Sequence, residues 1–235
     1  MMNEESGYLC WAYSHPGFVR LNNEDAYATS LGSVAQECWQ GTIPITGWVF
    51  IADGMGGHAA GQVASQLALE CLGKLAHLLR DEDAVDQAIA GVHAALFGAM
   101  QEDATLAGMG TTIAGVILAP EEALCFNVGD SRIYHMGAKL TLLSEDHVIG
   151  GNMLTQCLGG LNEQHIPEPA TLRIKWKKGQ RLLLCTDGLT DMLGDEEVAT
   201  ILQDGRSSPA EALVNAALQA GGHDNVTVIV LERLR

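Results

Sequence analysis

Five aspartates stand at the ends of apolar runs along this 235-residue chain. Asp25 follows Asn23-Glu24, and Asp53 closes Gly47-Trp48-Val49-Phe50-Ile51-Ala52. Asp130 closes Phe126-Asn127-Val128-Gly129, Asp187 closes Leu182-Leu183-Leu184-Cys185-Thr186, and Asp224 comes just before the run that starts at Val226. Any one alone reads as a turn former, since Asp-Gly and Asp-Asn pairs favour turns. As a set, most with Gly alongside, they read as carboxylates converging at one edge of a β core. Oxygen-rich sites suit hard cations, Mg²⁺ or Mn²⁺, rather than zinc, and no His-rich or Cys-rich ligand spacing competes. Gly54, Gly56 and Gly57 carry no Cβ to keep the backbone from a metal. Arg20 lies five residues before Asp25. Its planar fork matches two oxygens of a phosphate; its other reading is a salt bridge to one of these acids.

The elements that must position these residues follow from hydrophobic pattern. Strands are predicted at 8–13, 26–31, 47–52, 111–118, 123–128, 132–135, 140–143, 172–176, 181–186 and 226–231. Apolar residues at helical spacing predict helices over 59–79 and 84–100, joined by the charged turn 80–83. Two more are predicted at 195–202 and 209–220, the latter with Ser208 as its cap. Strands and helices come in blocks, which argues for antiparallel sheets with helices packed outside rather than a Rossmann-type parallel sheet. Without linker or repeat, residues 1–235 read as a single domain.

Composition narrows the partners. The chain carries 29 acidic and 13 basic side chains, a formal net charge of -16. That excess argues against nucleic acid or an anionic membrane, which need clustered Lys and Arg, and leaves a basic partner or a cation site. A 47% hydrophobic and 18% charged composition excludes a disordered chain or a coiled coil. The polar start lacks a signal peptide's pattern, and the longest strongly apolar run, 113–119, is far short of the roughly 18–20 residues that span a bilayer. Six cysteines without a C-x-x-C pair read as buried, reduced thiols of a cytoplasmic protein.

Taken in order, the motifs resemble the bacterial metal-dependent protein serine/threonine phosphatases of the PP2C (PPM) family. The matching segments are 14–25 with Arg20, Glu24 and Asp25; Val49-Phe50-Ile51-Ala52-Asp53-Gly54-Met55-Gly56-Gly57-His58; and Met109-Gly110-Thr111-Thr112. Asn127-Val128-Gly129-Asp130-Ser131-Arg132, Ser144-Glu145-Asp146-His147, Cys185-Thr186-Asp187-Gly188-Leu189-Thr190-Asp191 and Gly222-His223-Asp224-Asn225-Val226-Thr227 complete the set, which covers residues 8–231. The resemblance implies an α+β fold, a four-layer α-β-β-α sandwich of two antiparallel sheets flanked by helix pairs. It implies two Mn²⁺ or Mg²⁺ ions bridged by Asp53, with Asp187 and Asp224 on the first and the Gly54 carbonyl on the second. Glu24 and Asp25 would hold waters of these ions, Asp25 orienting the attacking one. Asp130, Asp187 and Asp191 would form a third, weaker site. Water activated by the ions would attack phosphorus in line while Arg20 binds the phosphate, with no covalent phosphoenzyme.

Two departures from the pattern bear on mechanism. Animal members place His directly after the first Asp-Gly. Here Met55 stands there, so His58 is the candidate general acid or water-organising group, with a structural role as its other reading, and His147 and His223 are assigned structural roles. Many bacterial members carry a flap before a Leu-Thr-x-x-Leu-Gly motif. Here His147 is followed by only six residues before Leu154-Thr155-Gln156-Cys157-Leu158-Gly159. Short, flapless phosphatases of this kind occur beside type VI secretion systems, where they oppose a threonine kinase. The expected function is hydrolysis of phosphoserine or phosphothreonine in a protein substrate by a cytoplasmic monomer. The alternatives are a catalytically silent phosphoprotein-binding domain and a small-molecule phosphate hydrolase. Retention of Arg20, Asp25, Asp53, Asp187 and Asp224 speaks against the silent domain.

Overall fold

Alternation within Trp48-Val49-Phe50-Ile51-Ala52 sets the layering. Val49 and Ile51 point into a core between two sheets, while Phe50 and Ala52 point the other way, against helices. A strand buried on both faces needs apolar residues at every position rather than every second one. The computed structural model describes residues 7–35, 38–56, 59–150, 153–205 and 207–234. The chain opens with β1 (Gly7–His15), β2 (Asp25–Thr29), β3 (Gly32–Ala35), β4 (Trp39–Pro44) and β5 (Trp48–Met55), then helices α1 (Ala59–Leu75) and α2 (Glu82–Glu102). Next come β6 (Gly110–Thr111), β7 (Ile113–Leu118), β8 (Ala123–Val128), β9 (Arg132–Met136) and β10 (Leu140–Leu142). A small hairpin, β11 (Val148–Ile149) and β12 (Met153–Leu154), precedes β13 (Leu158–Gly159), β14 (Ala170–Ile174) and β15 (Arg181–Cys185). Helices α3 (Asp187–Thr190), α4 (Asp195–Gln203) and α5 (Pro209–Gln219) lead to β16 (Val226–Arg233).

One sheet has the order β10-β9-β15-β16-β1-β4; the other runs β13-β6-β5-β7-β8-β14, with β2 joined to β5 and β3 to β2. Neighbouring strands pair antiparallel in both. Three apolar cores separate four layers. Phe50, Phe126 and Ile113 meet Leu69, Leu72, Ile89 and Val92 of α1 and α2. Tyr8, Ile51, Val116, Leu184 and Ile229 fill the space between the sheets, where Tyr8 stacks on Trp176 at 5.0 Å. Leu183, Val228 and Val230 meet Val198, Leu202, Leu213 and Val214 of α4 and α5. The α-β-β-α sandwich expected from the resemblance is the architecture found.

Local details depart from the sequence reading in instructive ways. The helix expected to reach 79 stops at Leu75 and continues as a 3₁₀ turn, Ala76–Leu78. The charged turn 80–83 is largely a helix start. Asp81 caps α2 by accepting from the Ala84 N–H at 2.9 Å, and Glu82 and Asp83 lie at the positive end of its dipole. Ser208 occupies the cap position of α5, yet its side chain makes no capping bond. Its carbonyl accepts from Ala212, and Pro209 starts the helix. The strand expected over 111–118 divides at Thr112, whose N–H turns to the Asp53 carbonyl at 2.9 Å. The expectation of buried cysteines is corrected in part: Cys10, Cys125 and Cys185 are buried, Cys71 and Cys157 are half-buried and Cys38 is exposed, all with free thiols. No helix among the described residues is long and apolar enough to cross a membrane.

Candidate active site

Strand register brings the first two acids together. In the β2–β5 pair Asp25 lies directly opposite Asp53, an arrangement that like charges disfavour unless something positive or a proton lies between them. The Asp53 backbone is pinned on both sides: its N–H donates to Thr112 Oγ1 at 3.0 Å, and its carbonyl accepts from Thr111 Oγ1 at 2.8 Å. The second sheet reaches this point through the ends of β15 and β16. Thr186 donates through Oγ1 to Asp25 Oδ2 at 2.8 Å, and that same hydroxyl accepts from the Thr227 N–H at 3.0 Å. Asp187 and Asp224 are thereby carried in from the six-stranded sheet to meet Asp53 from the eight-stranded one.

The loop 16–24 that carries Arg20 and Glu24 is tied down mainly by Asn225. Its amide donates to the carbonyls of Pro16 and Asn22, each at 2.9 Å, and its Oδ1 accepts from the Glu24 N–H at 2.8 Å. Gly17, at φ 76°, lies so near the Asp224 carbonyl that a Cβ would stand 2.2 Å from it. On the other side α1 runs close against β5 and the loop. Ser65 Oγ donates to the Glu24 carbonyl at 2.6 Å, and a Cβ on Gly61 would stand 1.9 Å from Glu24 Oε2. Gly61→Ala is therefore expected to displace Glu24 and to press on the Gly54 backbone carbon, 2.9 Å from the same Cβ, lowering stability by about 1–3 kcal/mol, whereas Gly91→Ala, on an open face of α2 with nothing within 4 Å, should raise it by about 0.5–1 kcal/mol. Thermal melts of the two variants check this, and equal shifts would contradict the close approach.

These elements enclose a cleft of roughly 490 Å³ whose charged lining is Arg20, Glu24, Asp53, Asp130, Asp187 and Asp224; Gly54 and Met55 also line it. Asp25 is fully buried and lies behind this lining rather than in it. Asp191, predicted beside Asp130, is exposed and does not line the cleft, although its charge helps raise Asp130 and Asp187. His58 and Gly57 lie outside the described residues.

The acids crowd one another electrostatically. Burial pushes Asp25 up to about 7, against the pull of the Thr227 and Thr186 hydroxyls and with a further push from Asp187 and Asp224. Burial, then Asp130 and Asp224, raise Asp187 to about 6. Asp53 is raised well above the usual carboxylate range, by burial first and by Asp25 and Asp187 next. Burial also raises Asp130. Arg20 Nη2 holds Asp224 Oδ2 at 2.6 Å, with 59% of the Arg20 side chain exposed. The salt bridge that was one of its two readings therefore exists.

This donor set fits a hard divalent cation. It is all oxygen; Asp187 Oδ1 is buried with no hydrogen-bond partner among the described residues; and Gly54 lies where a Cβ would come within 2.0 Å of the Gly61 carbonyl, so only glycine lets the chain pass so close. Among the described residues no three Asp, Glu, His or Cys side chains are already closed around one point. Asp53 and Asp187 lie close enough to shift one another's titration, and Asp224 is held by Arg20.

Asp130 is supported by a different staple. Gly129, at φ 97°, donates to His147 Nδ1 at 3.0 Å, and the His147 N–H returns to the Gly129 carbonyl at 3.0 Å. His147 also accepts from Thr155 at 2.8 Å, fastening the β11–β12 hairpin. Its expected structural role is what the contacts show, whereas His223 is exposed. Arg132 locks the neighbouring segment by gripping both oxygens of Asp146. In place of a flap subdomain, residues 148–154 form only this two-stranded hairpin among the described residues. Asn225, Thr186, Thr112 and Gly61 had no assigned role in the sequence reading. The motifs contained the first three, but their value lies in the backbone groups and carboxylates they reach, which only the fold brings near.

Fold and cleft together define a phosphatase-type α-β-β-α sandwich. Residues 21–220 match the Protein phosphatase 2C family, and the chain belongs to it. It is 32% identical over 246 aligned residues to the serine/threonine protein phosphatase PstP of Mycobacterium tuberculosis, covering 94% of this chain and 44% of that protein. It thus spans less than half the length of that relative. The structure of the PstP catalytic domain in complex with two manganese ions superposes with a TM-score of 0.80 at 31% identity, covering 97% of this chain and 100% of that one. PppA, described as a key regulatory component of T6SS in Pseudomonas aeruginosa, superposes with a TM-score of 0.79 at 28% identity, covering 97% of this chain and 99% of that one.

Proposed function

We propose that this protein is a metal-dependent phosphatase that removes phosphate from phosphoserine and phosphothreonine in protein substrates. The observation that carries the reading is the convergence of Asp53, Asp130, Asp187, Asp224 and Arg20 on one cleft. Asp53, Asp187 and Asp224 would hold one divalent ion, Mn²⁺ or Mg²⁺; Asp53 and the Gly54 carbonyl, with Glu24, a second; Asp130 and Asp187 a third, weaker one. When bound, these ions supply the electrostatic activation that lets water attack phosphorus near neutral pH. Arg20, released from Asp224, grips two phosphate oxygens and offsets their charge. Asp25, held by Thr186 beneath Asp53, is the carboxylate that orients the attacking water. His58 remains the proposed general acid for the departing alkoxide.

The same reading places a single-domain monomer in the cytoplasm, in keeping with six free thiols. The likeness to PppA supports a type VI secretion setting, and a place opposite a bacterial serine/threonine kinase follows from the activity proposed. Phosphate release from a phosphothreonine peptide tests the activity. Turnover is expected with Mn²⁺ and none with excess EDTA. Binding without release would favour the silent phosphoprotein-binding domain, and turnover of small phosphate esters alone would favour the small-molecule hydrolase.

A further inference from the structure

We propose that the mouth of the cleft selects phosphorylated segments whose residues next to the phosphoserine or phosphothreonine are apolar rather than charged. The inference rests on the phosphatase reading above. Every charged residue lining the cleft belongs to its floor or to the phosphate clamp; the remaining wall includes Val19, Leu21, Met55 and Leu154. Val19 and Leu21 bracket Arg20 in the chain and are 63% and 94% exposed. A peptide advances about 3.3 Å per residue when extended. With its phosphate on Arg20, the adjoining side chains lie within a few ångströms of loop 16–24, in reach of the exposed Val19 and Leu21.

Leu154 also lines the cleft, from the β11–β12 hairpin, whose paired residues Ile149 and Met153 are 59% and 67% exposed. The loop is not a loose segment that could fold these side chains away. Asn225 holds it at Pro16 and Asn22, and the Phe18 N–H donates to the Gly222 carbonyl at 2.7 Å. Apolar side chains fixed in water at the rim of a binding cleft mark a surface for something that covers them. The acidic excess does not call for a basic substrate in their place. Glu82 and Asp83 of α2, and Asp195, Glu196 and Glu197 of α4, occupy first turns, where they complement helix dipoles.

The test compares kcat/KM for three phosphothreonine peptides of equal length whose flanking residues are Leu and Val, Lys, or Glu. The apolar peptide is expected to be favoured about tenfold, the scale of one well-placed apolar contact, and the preference should collapse toward unity in Leu21→Ser/Leu154→Ser. Because the readout is a ratio within one protein, a change in the folded fraction cancels. Equal rates, or preference for the Lys or Glu peptide, overturn the inference. So does sedimentation showing a dimer that Leu21→Ser dissolves, since the rim would then belong to a second copy. p-Nitrophenyl phosphate with Mn²⁺ separates the two layers. Turnover of this ester with no peptide preference sinks only the selectivity, whereas no turnover of ester or peptide sinks the phosphatase reading and this inference with it.

Discussion

Asp53→Ala is expected to lower Mn²⁺-dependent phosphate release from a phosphothreonine peptide by on the order of 10³-fold, the upper range for losing a preorganised electrostatic group. Asp53 is the acid on which the geometry turns. It faces Asp25 across the β2–β5 ladder, is pushed up by the charge of Asp187 from the other sheet and lines the cleft. No neighbouring carboxylate can replace it, because the others enter from different strands with their own anchors. The same change removes a half-buried acid from a crowd of acids, so the melting temperature in EDTA should hold or rise. Retained melting with lost turnover separates a site defect from misfolding. Equal turnover in variant and wild type would remove the metal-centred mechanism.

The crowding also sets the pH response of the metal-free protein. In the folded state burial and the neighbouring acids push Asp25 up to about 7 and Asp187 up to about 6, both above the ordinary aspartate range. The folded chain therefore holds more protons than the unfolded chain between about pH 4 and 7, and stability from these groups falls as pH rises through that window. Below it both states are protonated and the penalty vanishes; above it the penalty is complete. Asp25→Asn isolates the effect. Its melting temperature in EDTA should match wild type near about pH 4 and exceed it by on the order of 5 °C near about pH 8. Mn²⁺ favours the ionised carboxylates, so its stabilisation of wild type should grow over the same window. A wild type that gains on Asp25→Asn with rising pH would refute the assignment of these raised values.

How much of this was legible beforehand depended on whether a residue's meaning was local. Asp53, Asp130 and Asp187 announced themselves because each closes a largely apolar run, and a strand end is readable from pattern alone. The four layers were legible in the same way, as strands in blocks with amphipathic helices between. β3 and β4 were not, since Gly32–Ala35 and Trp39–Pro44 mix Gly, Gln, Thr and Pro and lack a clean alternation. Asp191 was expected beside Asp130 and Asp187 at the third, weaker site from the resemblance alone, yet it follows the one-turn helix α3 and ends outside the cleft. Gly61 gave no signal at all. An isolated glycine in a helix pattern reads as a weak point until Glu24 is seen lying against it.

The clamps on loop 16–24 carry a consequence for how the protein comes into being. Arg20 meets Asp224 across 204 residues, Asn225 meets Asn22 across 203, and Thr186 meets Asp25 across 161. Contacts of such sequence separation form late and slowly, since loop closure must precede any return from them. A growing chain therefore has no cleft to load or inhibit until β16 docks beside β1. On the proposed phosphatase reading, turnover would then report that β16 has docked.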